Sequence, residues 1–465
     1  MGELKRLTRL DNPNSNTQMH EWLNKMDYPM TSLNKESREE AINDPLVPDE
    51  VAEVLTLKGE ASLSSVAKHK KAMEIRCEDG RIRGSIDFHK AHTGRFGGRG
   101  IQPHNLPRDG APESDRLLLV SGNAGRRAPE IAKGTVRSSI VPAPGHIFVT
   151  CDYNAIEGRV LGWHAGEVWV ENEFRGDGKL YEATAEMMFD VGKHDLLNRL
   201  SACGKCGMCE ACEIRDKAKV SNLALGFNGG AGALVNMGAE QSGIDIGNYK
   251  EINAEWVAKG RPGKFFQYES DRHDYPELLR LRDLYRAASP ATTQFWKTIA
   301  KAWDLAALDG KAVRFGSRKH LVMMRDGAHN RLVLPSGRSI WYRYAKSHPD
   351  PDNPERIDRR TFIGKGTGVG HRRLDIHGGV LTNNVTQGTA RDVMVDLITK
   401  LEQMTASGWP GRVVLHVHDE VVLETKKKHA DQVLADVLGM MDTPPDWAQD
   451  LPIKGAGSLM ERYAK

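Results

Sequence analysis

Two acidic segments stand out because the residues around them are apolar. Val413-Val414-Leu415-His416-Val417-His418-Asp419-Glu420-Val421-Val422-Leu423-Glu424 sets β-branched runs on either side of a His-Asp-Glu link, and reads as two strands joined by a tight turn. Strands this apolar suit a sheet covered on both faces, where a bare carboxylate is costly. Asp419 and Glu420 therefore need water at an exposed turn, a cation or a metal. His146-Ile147-Phe148-Val149-Thr150-Cys151-Asp152 is a further strand, introduced by Pro144-Gly145 and ending in an aspartate, and Tyr153 to Trp163 continues as a turn into a helix. Asp152 can cap that helix or stand as a second carboxylate beside the His-Asp-Glu turn. With both strands in view, a metal-binding pair is the better account.

Cys203-Gly-Lys-Cys206-Gly-Met-Cys209-Glu-Ala-Cys212 repeats a C-x2-C spacing. A regular helix would spread these thiols around its circumference, whereas a loop loosened by Gly204 and Gly207 can fold all four around one ion. Zinc is the first reading and an iron–sulfur cluster the second, since the ferredoxin run has a longer last gap and a following proline. Four sulfur ligands leave no open position, which makes the site structural. Just beyond, Arg215, Lys219, Leu223 and Phe227 recur at fourfold spacing, one slowly turning stripe on a helix that Asn228-Gly229-Gly230 stops. Its two cations could grip a polyphosphate and its aromatic could stack on a base; a plain solvated face is the competing use.

The loop from Thr93 to Arg108 combines glycines with Arg95, Arg99 and Arg108 and with amides such as Asn105. Glycines admit close backbone approach and arginine forks match phosphates, which favours contact with a nucleic-acid backbone. Asn383 and Gln387 open a helix that turns apolar later; amides there can cap it or read the edge of a groove.

The elements that must position these residues follow from periodicity and punctuation. Helices are expected over Glu21–Met26 and Val51–Met73, the second ending in Lys68, Lys70 and Lys71, and a strand over Arg81–Phe88. Residues 110–135 read as a polar connector, 165–200 as charged helix, and 240–330 as helix with Phe295, Trp296, Ile299 and Trp303 on a core face. Leu332–Tyr342 reads as a hairpin and 347–358 as a loop.

At 465 residues the chain can hold two or three subdomains. A net charge of +3 is too small to imply nucleic-acid binding by itself, so any basic surface must be local. Six cysteines, four of them in one short segment, indicate metal chemistry rather than a disulfide scaffold. With no signal-like or membrane-spanning run, a soluble, intracellular chain without membrane partners is expected.

In this order the segments resemble the polymerase module of family A DNA polymerases, the DNA polymerase I group, and most of all its phage-encoded members. Asp152-Tyr-Asn-Ala-Ile-Glu-Gly-Arg159 looks like the family's first carboxylate motif, Arg215 to Gly229 like its fingers helix, and His418-Asp-Glu420 like its second carboxylate motif. Thr93-Gly-Arg95 through Asn105-Leu-Pro-Arg108 is similar to the segment that holds the primer–template, and Asn383 and Gln387 sit where the family places minor-groove and template contacts. The likeness runs from about residue 75 to the C-terminus and more loosely back to about residue 12.

The resemblance implies an α+β right-hand architecture. It predicts a partial helical thumb over 1–75, an antiparallel-sheet palm over 76–165 and 374–465, and helical fingers over 166–373 with the cysteine run inserted at 203–212. The early thumb helices and an exonuclease domain are not expected in this chain. Two Mg²⁺ ions would be held by Asp152, Asp419 and the Tyr153 carbonyl, with Glu420 in support. Arg215 and Lys219 would bind the triphosphate, Lys219 also giving a proton to pyrophosphate, and Phe227 would pack at the nascent base pair. Glu157 would exclude a ribose 2′-hydroxyl, which argues against a single-subunit RNA polymerase. Arg95 and His418 would position the primer end. The expected partners are primer–template DNA and deoxynucleoside triphosphates, with room for a replication accessory protein, in the cytoplasm of the host cell if the chain is phage-encoded. The competing reading is a catalytically weak fragment that serves as a DNA-binding accessory protein. Leu223 stands where the family usually has an aromatic, and Phe227-Asn228 replaces the usual Tyr-Gly; stronger discrimination against dideoxynucleotides is expected from the first departure. The cysteine run lies beyond the common family core, and is expected to stiffen the fingers ahead of the nucleotide-binding helix.

Overall fold

The computed structural model describes residues 2–61, 64–107, 110–260, 274–365 and 370–464. Five helices come first: α1 (Gly2–Thr8), α2 (Asn16–Lys25), α3 (Lys35–Asn43), α4 (Asp49–Ala61) and α5 (Ser64–Ile75). The first four close over Leu4, Met19, Leu23, Val51, Val54 and Leu55. The helix expected over Val51–Met73 is thus two helices, flanking residues 62 and 63, which lie outside the described residues. The strand expected over Arg81–Phe88 shrinks to β1 (Ile86–Asp87), paired with β2 (Gly97–Gly98), and a bridge between Arg76 and Ile82. Gly84, at φ 68, breaks the extended run between them. Where a polar connector was expected, α6 (Glu113–Val120) and α7 (Ala128–Ser138) form; Ile131, Thr135 and Val136 give α7 a buried side.

After β3 (His146–Tyr153) the chain is helical: α8 (Ile156–Ala165), α9 (Val168–Arg175), α10 (Leu180–Phe189), α11 (Lys193–Ala202), α12 (Glu210–Leu225), α13 (Ala231–Asn236), α14 (Tyr249–Ala258), α15 (Pro276–Ala288) and α16 (Pro290–Asp309). The expected helix does not continue to residue 330. Gly310, at φ 67, ends α16, and six antiparallel strands follow in simple up-and-down order: β4 (Val313–Phe315), β5 (Leu321–Asp326), β6 (His329–Val333), β7 (Ser339–Pro349), β8 (Ile357–Lys365) and β9 (His371–Ile376). The region expected as helical fingers therefore ends in a sheet. Its β6–β7 hairpin matches the expectation for Leu332–Tyr342, and β7 takes the first residues of the expected loop. Phe295, Ile299 and Trp303 pack α16 onto Phe315, Leu321, Leu332 and Tyr342 of this sheet. Trp296 turns instead to the core under α12 and α15, where its Nε1 donates to the Gly226 carbonyl at 3.0 Å.

The last elements are α17 (Gly378–Ala406), β10 (Arg412–Val417), β11 (Glu420–Lys426), α18 (Ala430–Met441) and β12 (Gly455–Met460). The strands around the acidic segments make one antiparallel sheet in the order β10-β11-β3-β12. Alternation divides its side chains: Val149, Cys151, Tyr153, Val421 and Leu423 face a core shared with α8, α17 and α18, while Phe148 and Val422 on the other face meet Tyr463. Burying each such aliphatic side chain is worth about 1.5–3 kcal/mol, so a one-residue slip of register would be strongly disfavoured. Among the described residues no helix is long and apolar enough to cross a membrane.

Candidate active site

Register brings the two acidic segments together. Glu420 is the direct partner of Asp152 across β11 and β3, and the Tyr153 amide donates to the Asp419 carbonyl at 3.0 Å. His418 and Asp419 form the two-residue link between β10 and β11, and His418 takes the left-handed conformation (φ 57) such tight links demand. Asp152 and Asp419 are half-buried, whereas Glu420 is buried and accepts a hydrogen bond from the Tyr463 hydroxyl. Three carboxylates thus gather at one end of a sheet held by apolar packing. Like charges directly opposite each other across strands are unfavourable, so this end of the sheet suits a cation. Tyr153 buries its side chain in the core below, which leaves only its backbone near the carboxylates.

A concavity opens beside Asp419. It is lined by Arg95, Phe96, His104, Ile156, Ala390, Arg391, His418 and Asp419. The glycine-rich loop supplies one wall, α8 and α17 the others. Arg95 Nη1 lies 3.0 Å from Glu157 Oε1, in the first turn of α8. His418 Nε2 donates to the His104 carbonyl at 3.2 Å. Burial, with His418 and Arg95 beside it, pulls the His104 imidazole down to about 4; burial next to His104 and Arg391 does the same to His416. Both rings are neutral at pH 7. The loop is anchored by Arg391, whose Nε donates to the Gly94 carbonyl at 3.0 Å and whose guanidinium lies 4.7 Å from the Phe88 ring and 5.1 Å from the Phe96 ring.

Arg95, His418 and Asp419 thus line one concavity, and Glu157 joins them through its pair with Arg95. Arg391, His104 and Phe96 were not singled out as site residues. Arg391 carried a readable signal: Asn383, Gln387 and Arg391 recur at fourfold spacing along α17. Asn383 and Gln387 are half-buried there, within the helix rather than at its cap, which His377 provides. Asn383 Oδ1 is buried with no partner among the described residues. Asn105 is exposed, its amide 3.1 Å from Gln102 Oε1 and its carbonyl accepting from Lys68 at 2.6 Å. Arg108 lies outside the described residues.

Along α12, Lys219 and Leu223 are exposed, and Arg215 is held by Glu182 at 2.8 Å with its guanidinium 5.4 Å from the Tyr181 ring. Phe227 does not complete the helical stripe. The helix ends at Leu225, and Phe227 sits, half-buried, in the turn that follows. That turn meets the start of α17 closely: a Cβ on Gly379 would lie 2.2 Å from the Phe227 carbonyl oxygen.

The four cysteines converge where α11 hands over to α12, with Cys203 capping α11, Cys209 capping α12 and Cys212 in the first turn of α12. Their sulfurs all lie within 4.8 Å of one another, and none is in a disulfide. Left-handed backbone at Gly204, Lys205 and Gly207 makes the fold of this loop possible. Tetrahedral ligation with Zn–S bonds of about 2.3 Å sets sulfurs ~3.8 Å apart. The Cys203 and Cys212 sulfurs are 3.8 Å apart, and the Gly207 amide donates to Cys212 Sγ at 3.3 Å. The residues fit a tetrathiolate metal site.

No protein-family model matches the chain. The DNA polymerase of Bacillus phage SP02 is 32% identical over 477 residues, covering 100% of this chain and 65% of that protein. DNA polymerase I of Pseudomonas aeruginosa is 22% identical over 389 residues, covering 83% of this chain and 30% of that protein. The POL domain of Pol1 from M. smegmatis, solved with a DNA primer-template and dNTP, superposes with a TM-score of 0.59 at 14% identity, covering 99% of this chain and 64% of that one. The chain is similar to the polymerase module of these DNA polymerases. It spans just under two thirds of the length of the phage relative and under a third of the bacterial one. The structural likeness, at its low identity, speaks for the α+β right-hand fold alone.

Proposed function

We propose that this chain is a DNA-directed DNA polymerase, serving phage DNA replication in the host cytoplasm. The observation that carries the reading is the placement of Asp152 opposite Glu420, with Asp419 one residue away, at the open end of a sheet beside a pocket lined by Arg95 and His418. In the proposed reaction the primer 3′-hydroxyl gives its proton to water, its oxygen forms a bond to the α-phosphorus of a deoxynucleoside triphosphate, the bond from that phosphorus to the bridging oxygen breaks, and pyrophosphate leaves. Two Mg²⁺ ions held by Asp152, Asp419 and the Tyr153 carbonyl would activate the 3′-hydroxyl and offset charge on the leaving group. Glu420, fixed by Tyr463, orients this carboxylate set rather than reaching the substrate. Arg95 and His418 hold the primer end, and the Arg95–Glu157 pair fixes the carboxylate that excludes a ribose 2′-hydroxyl. Arg215 exchanges Glu182 for the triphosphate when substrate arrives; Lys219, exposed one turn on, grips the same phosphates and protonates pyrophosphate. Phe227 packs at the nascent base pair.

Asn105, Arg108, Asn383 and Gln387 complete the proposed DNA contacts; the orphaned Asn383 Oδ1 is an acceptor that a minor-groove donor would satisfy. The proposed division into thumb (1–75), palm (76–165 and 374–465) and fingers (166–373) draws support from the four-stranded sheet, to which both palm segments contribute strands. The cysteine cluster is a structural zinc site that staples the start of α12 to α11. Primer extension on a DNA template tests the proposal. Extension that depends on Asp152 and Asp419 supports it; DNA binding without extension by the wild type would favour the accessory reading.

A further inference from the structure

The sheet β4–β9 has a second face that the proposed active site does not use. One face is filled by α16 and α17, through Trp303, Leu381 and Val385. On the other, cross-strand register sets Met324, Arg331 and Trp341 in one row and Arg343, Ile363 and Arg373 in another. Trp341 is 41% exposed and Tyr344 54% exposed. The Arg331 guanidinium lies 5.5 Å from the Trp341 ring. The His329 ring lies 5.1 Å from Tyr344 and 6.3 Å from Trp341, so the two exposed aromatics are braced. Tyr344 sits at an irregularity in the β7–β8 pairing, with φ 49, and its carbonyl accepts from Arg373 Nη1 at 3.1 Å. The left-handed backbone at Tyr344 is uncommon for a tyrosine, and it is fixed here by the bulge and by the Tyr344 amide, which donates to His329 Nδ1 at 3.0 Å.

The charge on this face is lopsided. Arg314, Arg343, Lys346, Arg359 and Arg373 are exposed on it, against Asp326 and Asp375, while the whole chain carries only +3. Single exposed aromatics are ordinary, but two of them rigidly mounted among arginines form a surface for flat rings and phosphates together. A protein partner would be met better by an apolar centre with a polar rim; here the cations surround and interleave the aromatics.

We propose that this face is a platform for single-stranded DNA, with bases stacking on Trp341 and Tyr344 and phosphates meeting Arg343 and Lys346. The β6–β7 turn ties the platform to the candidate active site, because Arg338 pairs with Asp392 at 2.7 Å and donates to the Gly388 carbonyl at 3.0 Å, between Gln387 and Arg391 on α17. On the polymerase reading above, on which this last step rests, the occupant is the template strand not yet copied.

The test uses the full chain, a labelled oligo(dT) of about 20 nucleotides followed by fluorescence anisotropy, and two double variants, Trp341→Ala with Tyr344→Ala and Arg343→Glu with Lys346→Glu. Each is expected to weaken oligo(dT) binding about tenfold or more with an unchanged melting temperature. Each should also slow extension on templates with a long 5′ single-stranded overhang, and leave short overhangs unaffected. Unchanged oligo(dT) affinity in the aromatic variant overturns the platform, including the case where only the charge variant loses binding. A wild type that binds oligo(dT) through these residues yet extends no primer keeps the platform and removes the polymerase reading, so the two failures are distinct.

Discussion

Asp152 and Glu420 face each other as direct cross-strand partners, and the buried Glu420 carboxylate is held by the Tyr463 hydroxyl. Two carboxylates so placed repel in the absence of a cation. Glu420→Gln removes the repulsion, so in Mg²⁺-free buffer it is expected to melt no lower than wild type while extending primers about 10–100-fold more slowly. Tyr463→Phe is expected to lower stability by about 1–3 kcal/mol, from loss of a buried donor. Thermal melts with and without Mg²⁺, beside extension rates, check both. A lower melting temperature for Glu420→Gln without Mg²⁺ would show that the pair stabilises the fold and is not poised for a cation.

The Arg95–Glu157 pair joins the glycine-rich loop to α8 at 3.0 Å. Glu157→Ala is expected to reduce deoxy-over-ribonucleotide discrimination about tenfold or more, by removing bulk and charge from the sugar's path. Arg95→Ala is expected to impair primer use more than nucleotide KM. Steady-state kinetics with dNTP and rNTP pairs decide this. Discrimination that Glu157→Ala leaves unchanged would remove Glu157 from the sugar site.

The tetracysteine site predicts a tightly bound metal, about one ion per chain, measured by elemental analysis of the purified protein. Cys206→Ser is expected to lose it and to lower the melting temperature, and a chelator strong enough to strip the wild type should do the same. Protein that holds no metal and melts unchanged in the variant would contradict the assignment.

Sequence legibility followed local signals. Asp152, Asp419 and the cysteine spacing were readable because acidic residues at the ends of apolar strands, and thiols at C-x2-C spacing, are unusual on their own terms. The pairing of the two acidic segments is expected from the sequence, but that Glu420 and not Asp419 stands directly opposite Asp152 is not, since this depends on strand register between segments some 270 residues apart in the chain. The β4–β9 sheet was hidden by helix-favouring Leu, Met, Ala and Arg over 313–333, although the glycine after Asp326 is a turn signal and Gly327-Ala328 forms the β5–β6 link. Phe227 was placed on the α12 stripe because spacing alone cannot see that the helix stops two residues earlier. Arg391 could have been found by extending the Asn383–Gln387 spacing one more turn.

Buried imidazoles give a pH signature. His164 Nδ1 and His320 Nε2 share a hydrogen bond at 2.7 Å between α8 and the loop before β5, and His164 also meets Thr389 of α17 at 3.0 Å. Burial, with Arg318 nearby, pulls His320 down to about 4, and burial beside His320 and Arg318 pulls His164 well below the ordinary range. The unfolded chain, with histidines near about 6.5, then takes up protons that the folded chain refuses. The His320 contribution to stability is full above about pH 6.5 and is lost as pH falls from there towards about 4, and the His164 contribution falls in the same direction. Melting temperature is expected to drop through that window, less steeply in His320→Gln. Equal slopes would contradict the assignment.

The most direct test of the central claim is primer extension with Mg²⁺ and all four dNTPs, comparing wild type with Asp152→Ala and Asp419→Ala. The account predicts extension by the wild type and a fall of about 10³-fold or more in each variant, with both variants folded and still binding primer–template. Extension at the wild-type rate by either variant would contradict it.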